Sequence, residues 1–118
     1  MAEDIFITAA ARTAMGSFQG VLRDLTAPEI GGTAIAAVVD QQNVDKNLID
    51  EVIMGCVLPA GLGQAPARQA SFAGGLLESV SCTTVNKMCG SGMKAVMLGY
   101  DQIKAGGADI IIAGGMES

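Results

Sequence analysis

Cys82-Thr83-Thr84-Val85-Asn86-Lys87-Met88-Cys89-Gly90-Ser91-Gly92-Met93-Lys94-Ala95-Val96 carries the change of period that defines this chain. Residues 82–86 alternate and include the β-branched Thr83, Thr84 and Val85, the signature of a short strand. From Ser91 onward the apolar residues follow a helical pattern that runs to Lys104. Cys89 stands at the junction, followed by the small residues Gly90, Ser91 and Gly92. A helix start carries roughly half a positive charge, because its first N–H groups have no intrahelical partner. That field favours a thiolate, the nucleophilic form of cysteine. Bare backbone beside it leaves room for a ligand to approach. Such a place suits covalent acyl transfer.

Outward from this junction the same alternation of elements repeats. Ile5-Phe6-Ile7-Thr8-Ala9 reads as a buried strand, and residues 11–25 as a long loop. Thr26-Ala27-Pro28-Glu29 matches a capping box with proline in the first turn, where its missing N–H costs nothing. The helix it opens sets Ile30, Ala34, Ala37 and Val38 on one face and ends near Gln42-Asn43. Leu48-Ile49-Asp50 reads as a short turn. Residues 51–58 form a near-continuous apolar run, as a parallel strand buried on both faces requires. Residues 64–76 are a second helical candidate, with Pro66 tolerable only in its first turn. Residues 91–104 are apolar nearly all round and predict a buried helix. Gly106-Gly107 end it, and residues 109–113 form a last strand. The order βαβαβαβ predicts one α/β domain with a largely parallel sheet and helices on both faces.

Composition narrows the function. The chain has 118 residues, 50% of them hydrophobic, with sixteen glycines, three Phe, one Tyr and no Trp. Thin helices packed on a sheet fit that content better than a large aromatic core. A net charge of −5 argues against nucleic acid or an anionic membrane as partner, since such binding needs clustered Lys and Arg. No apolar run approaches the roughly 18 residues that span a bilayer. The acidic start Met1-Ala2-Glu3-Asp4 shows neither signal nor transit peptide. Three cysteines, an odd number, fit a reducing compartment, so the cytoplasm is the expected location. Metal binding is not expected, for there is no CxxC pair and no histidine. Gly61-x-Gly63-x-x-Pro66 lacks the third glycine of a dinucleotide loop, and no P-loop is present. Cys56 and Cys82 sit in apolar runs and read as buried, inert thiols. Lys87 reads either as electrostatic support for Cys89 or as a solvated lysine. Met88, Met93 and Met97 read as core filling.

The absence of histidine matters as much as the presence of Cys89. Histidine is the commonest general base near neutral pH, and a cysteine enzyme that needs one cannot draw it from these residues.

Four stretches resemble the N-terminal part of thiolases of the acetyl-CoA acetyltransferase (acetoacetyl-CoA thiolase) type. They are Ala10-Ala11-Arg12-Thr13 with Gly16 and Phe18, Gly61-Leu62-Gly63-Gln64 with Pro66-Ala67-Arg68-Gln69, Asn86-Lys87-Met88-Cys89-Gly90-Ser91-Gly92, and Gly114-Gly115-Met116-Glu117-Ser118. Glu51-Val52-Ile53-Met54-Gly55 fits as well. The cysteine block is the most specific; ketosynthases, which place serines around their nucleophile, match less well. Ala14, Met15 and Cys56 depart from the common pattern without touching that block.

The resemblance implies a partial thiolase N-terminal domain over 1–118, on a chain expected to continue beyond Ser118. It implies that Cys89 takes an acyl group from acyl-CoA as a thioester, with its own N–H in an oxyanion hole. The reaction is then the reversible Claisen condensation of two acetyl-CoA to acetoacetyl-CoA. Base and CoA-binding residues would come from the later region, so none is assigned here, and this piece alone is expected to be inactive. The 61–64 turn is expected near the active site and a subunit contact, and Glu117 and Ser118 receive no chemical role. CoA thioesters are substrates, no cofactor or metal is expected, and a homo-oligomer, dimer or tetramer, is the expected assembly. Two other readings stand beside this one: a nucleotide-binding α/β module with a structural Cys89, and a non-catalytic assembly piece.

Overall fold

A computed structural model describes residues 4–118. Its spine is a three-stranded, all-parallel sheet of β1 (Glu51–Gly55), β2 (Ser81–Val85) and β3 (Ile111–Gly115), in the order β2-β1-β3. Glu51 lies opposite Ser81 on one side and Ile111 on the other, so the three strands run in step. Three helices, α1 (Ala27–Gln42), α2 (Pro66–Ala73) and α3 (Ser91–Lys104), and a 3₁₀ turn at Lys46–Leu48 complete it. The α/β class with a parallel sheet is as the sequence predicts.

Strand alternation divides the helices between the two faces. Val52 and Met54 point to one side, into a core with Ile35 and Val39 of α1 and Ala67 and Ala70 of α2. The other side carries α3, whose Gln102 side chain donates to Glu51 of β1. The crossovers β1–α2–β2 and β2–α3–β3 step in opposite directions over opposite faces, as a shared hand requires.

Local chemistry sets the helix ends. The Thr26 hydroxyl accepts from the Glu29 N–H at 3.3 Å and the Glu29 carboxylate from the Thr26 N–H at 2.8 Å, completing the capping box. Asn43 ends α1 in the left-handed region at φ 48°. Pro66 opens α2, whose Ala67 N–H donates to Thr84 Oγ1 of β2 at 2.9 Å, a cap supplied across the fold. The last strand begins two residues later than the sequence suggests, and β1 ends at Gly55 rather than Leu58.

Three expectations need correction. Ile5-Phe6-Ile7-Thr8-Ala9 does not join the sheet, so the expected βαβαβαβ order loses its first strand. The Gln42 and Gln41 side chains donate to the carbonyls of Thr8 and Ala10, and Phe6 and Ile7 stay 76% and 82% exposed. The buried positions of α1 are Ala27, Pro28, Gly31, Gly32, Ile35 and Val39, not Ile30, Ala34, Ala37 and Val38. The glycines win because α2 approaches so closely: a Cβ on Gly32 would stand 2.6 Å from Ala73 Cβ. Finally, α3 is not buried all round. Ser91, Ala95 and Gly99, spaced i, i+4, i+8, lie on the sheet, while Met93, Met97 and Tyr100 are at least half exposed.

One buried hydroxyl has no partner among the described residues: Ser71 Oγ, in a side chain 1% exposed on α2. An unmade buried hydrogen bond costs about 1–3 kcal/mol. Ser71→Ala is therefore expected to raise stability by about 1 kcal/mol in urea denaturation, and a loss of stability would show that the hydroxyl has a partner in solution.

Candidate active site

The site grows from the ends of parallel strands, where open α/β sheets leave a crevice. Past β2 the chain turns through Asn86, Lys87 and Met88 before α3 starts. The turn is held by side chains. Asn86 Oδ1 accepts from the Met88 N–H at 2.9 Å. Ser91 Oγ accepts from the Lys87 N–H at 2.8 Å and donates to the Met88 carbonyl at 2.6 Å. These contacts hold Met88 at φ 49°, a left-handed conformation that an L side chain adopts at a cost of about 1–2 kcal/mol. Met88 is exposed, so the reading of this methionine as core filling fails. Met93 and Met97 are exposed as well.

Cys89 follows the strained residue and precedes Gly90, the N-cap of α3. It is exposed, whereas Cys56 is buried and Cys82 half-buried; all three are free thiols. The helix start beneath it has no side-chain cap and no acidic residue in its first turn, and its Ser91 N–H donates to the Met88 carbonyl at 3.1 Å.

Close packing brings that helix start to the strand ends. A Cβ on Gly55, the last residue of β1, would lie 2.6 Å from the Ser91 carbonyl carbon and 2.8 Å from the Gly92 N. A Cβ on Gly115, the last residue of β3, would lie 3.1 Å from Gly92 Cα. Glycines at both strand ends let the α3 start settle onto the sheet. At Gly55 the backbone contact leaves no room for a side chain.

Cys89 lines an open cleft of about 670 Å³, a size that suits a small-molecule ligand. Its walls come from the α3 start, the strand exits at Val57 and Leu58, and the 11–16 segment. Arg12 is the one cation among the lining residues and Glu117 the one anion. The 61–64 turn does not line it; the Gln69 side chain ties that turn to α2 through the Leu62 and Gln64 carbonyls, both at 2.7 Å.

Sequence reasoning left Glu117 without a role. In the structure its carboxylate accepts from the N–H groups of Val57 at 2.9 Å and Leu58 at 3.0 Å, and from the Cys56 thiol at 3.7 Å. Burial, with the Glu117 charge second, pushes the Cys56 thiol above its ordinary value. Cys56 thus stays protonated to higher pH than a free cysteine. Among the described residues no group of three His, Cys, Asp or Glu side chains could hold a metal. No helix among them is long and apolar enough to cross a membrane.

The amino-acid sequence that builds this sheet and cleft matches a known family over nearly its whole length. The family profile described as "Thiolase, N-terminal domain" matches residues 5–118. The chain belongs to the thiolase family. It is 54% identical over 115 residues to acetyl-CoA acetyltransferase 2 of Arabidopsis thaliana, covering 98% of this chain and 28% of that protein. It is 50% identical over 116 residues to the acetyl-CoA acetyltransferase of Pseudomonas aeruginosa, covering 98% of this chain and 30% of the relative. With the acetyl-CoA acetyltransferase of Escherichia coli the identity is 53% over 112 residues, 95% of this chain and 28% of the relative. The chain thus spans less than a third of the length of these relatives.

Proposed function

We propose that this chain carries the nucleophile of an acetyl-CoA acetyltransferase and that Cys89 is that nucleophile. The observation that carries the reading is the exposed Cys89 thiol on the cleft, one residue ahead of an uncapped helix start. The Cys89 thiolate attacks the carbonyl carbon of acetyl-CoA, the new S–C bond forms, and CoA leaves as its thiolate and takes up a proton. A second acetyl-CoA, deprotonated at its α-carbon, attacks the acetyl-cysteine; acetoacetyl-CoA forms and the Cys89 thiolate returns. In reverse the steps are thiolysis. The covalent intermediate divides one difficult step into two easier ones. The backbone N–H of Cys89 would serve in the oxyanion hole.

No histidine is available here as the base, and no residue of the chain is assigned to CoA. Turnover therefore calls on residues outside these 118, whereas the half-reaction at Cys89 needs only the cleft described. CoA thioesters are substrates in this scheme, with no metal or prosthetic group. A homo-oligomer in the cytoplasm is the proposed setting.

The test is acetylation by acetyl-CoA followed by peptide mapping in a mass spectrometer. Acetyl is expected on Cys89 well ahead of Cys56 and Cys82, with no acetoacetyl-CoA released by this chain alone. Equal labelling of the three thiols would refute the assignment.

A further inference from the structure

A path of hydrogen bonds runs from the end of β3 to the nucleophile turn. Glu117, two residues past β3, holds the N–H groups of Val57 and Leu58 with its two carboxylate oxygens at 2.9 and 3.0 Å. The Val57 carbonyl accepts from Asn86 Nδ2 at 3.4 Å. The same Asn86 side chain accepts from the Met88 N–H at 2.9 Å through Oδ1. Met88 is the strained residue at φ 49° that presents Cys89. Strain of this kind persists only where surrounding contacts over-determine the backbone. Glu117 also lines the cleft with Cys89, so the path starts and ends on one site.

We infer that Glu117 is a positioning residue for the acyl-transfer step, acting through Val57 and Asn86 to hold the Met88–Cys89 turn in the geometry that receives the thioester carbonyl. The inference rests on the nucleophile reading of Cys89. Its physical content is separable. A carboxylate has two acceptor oxygens and takes both N–H groups; a glutamine has one oxygen, and its amide hydrogens would face the second N–H. Asn86 works as a two-ended link, since its amide donates to Val57 while its oxygen accepts from Met88.

Two reactions of Cys89 tell position apart from thiol ionisation. Acetylation by a small aryl thioacetate builds an oxyanion that needs a donor in place; alkylation by iodoacetamide builds none. A change in thiolate content moves both rates together, so their ratio reports the turn alone. Losing one oxyanion donor outright costs about 10²–10³ in rate, and displacing it costs less. Glu117→Gln and Asn86→Asp are each expected to lower the acetylation-to-alkylation ratio about tenfold. Asn86→Asp keeps an acceptor for Met88 but replaces the donor to Val57 with a charged oxygen that faces the Val57 carbonyl. Because both changes break one path, the double variant should fall no further than the worse single one.

A urea denaturation midpoint close to wild type in every variant shows that the fold is intact. Unchanged ratios in folded variants, or losses that multiply in the double variant, would overturn the inference while leaving Cys89 as nucleophile. A wild-type chain whose Cys89 is acetylated no faster than Cys82 would sink the nucleophile reading, and this inference with it.

Discussion

Cys89→Ser is expected to cut acetylation of this chain by acetyl-CoA by about a thousandfold or more. A serine hydroxyl at this place has no histidine to take its proton, since the chain contains none, so it attacks only as the neutral alcohol. A free cysteine near pH 7 already presents a few per cent thiolate and is intrinsically very nucleophilic. The size of the loss thus reflects the difference between an ionisable and a non-ionisable nucleophile at one position. The check is the initial rate of acetyl incorporation into the 86–96 peptide. Cys56→Ser and Cys82→Ser serve as controls and should leave that rate within about twofold, because neither side chain lines the cleft. A Cys89→Ser variant that incorporates acetyl at the wild-type rate would move the nucleophile elsewhere.

The second large effect is expected at Gly55. Alanine there would place its methyl 2.6 Å from both the carbonyl carbon and the Cβ of Ser91, and 2.8 Å from the Gly92 N. Two of these three are backbone atoms, so no side-chain rotation relieves the clash. The start of α3 must lift. Overpacking of this kind costs about 1–3 kcal/mol, and a rigid backbone neighbour argues for the upper end. Gly55→Ala should therefore lower stability by about 3 kcal/mol and slow acetylation of Cys89, which rides on the same helix start.

Gly99 provides the contrast on that helix. Its added methyl would meet Ile111 Cγ2 at 3.3 Å, a side-chain atom able to give way. Alanine also favours a helix interior over glycine by about 1 kcal/mol. Gly99→Ala should accordingly be neutral or slightly stabilising. Equal losses at the two positions would mean that the contact at the strand end does not govern the helix seat.

Acid should loosen the other end of the sheet. The N–H groups of Asp109 and Ile110 both donate to the Asp50 carboxylate, which holds that group below the usual carboxylate range. A lowered folded-state value means the stabilisation is present above the unfolded value of about 4 and is lost as pH falls through the folded one. Asp50→Asn should flatten that part of the stability–pH profile in denaturant titrations.

Much of this protein follows from local chemistry in the chain. The capping box at Thr26 and the glycines after Lys104 depend on neighbours in sequence, so the helix ends they set appear where expected, and the apolar run from Glu51 starts its strand on the expected residue. The third helix, Ser91–Lys104, begins and ends on the predicted residues. Cys89 stood out for the same reason, as a thiol placed between two periods.

Other features needed distant partners. Residues 5–9 have a strand's composition but pair with no strand; side-chain amides of α1 donate to the Thr8 and Ala10 carbonyls instead. The buried stripe of α1 passes through Gly31, against the Met116 side chain, and Gly32, where the Ala73–Gly74 backbone leaves no room for a side chain. Hydropathy ranks glycine low and so pointed to the wrong face. Glu117 meets Val57 and Leu58 some 60 positions earlier, a pairing to which no periodicity refers. Period and capping act over a few residues and are written in the chain; clearance and hydrogen-bond reach are properties of atoms brought together from far apart, and exist only once the sheet has formed.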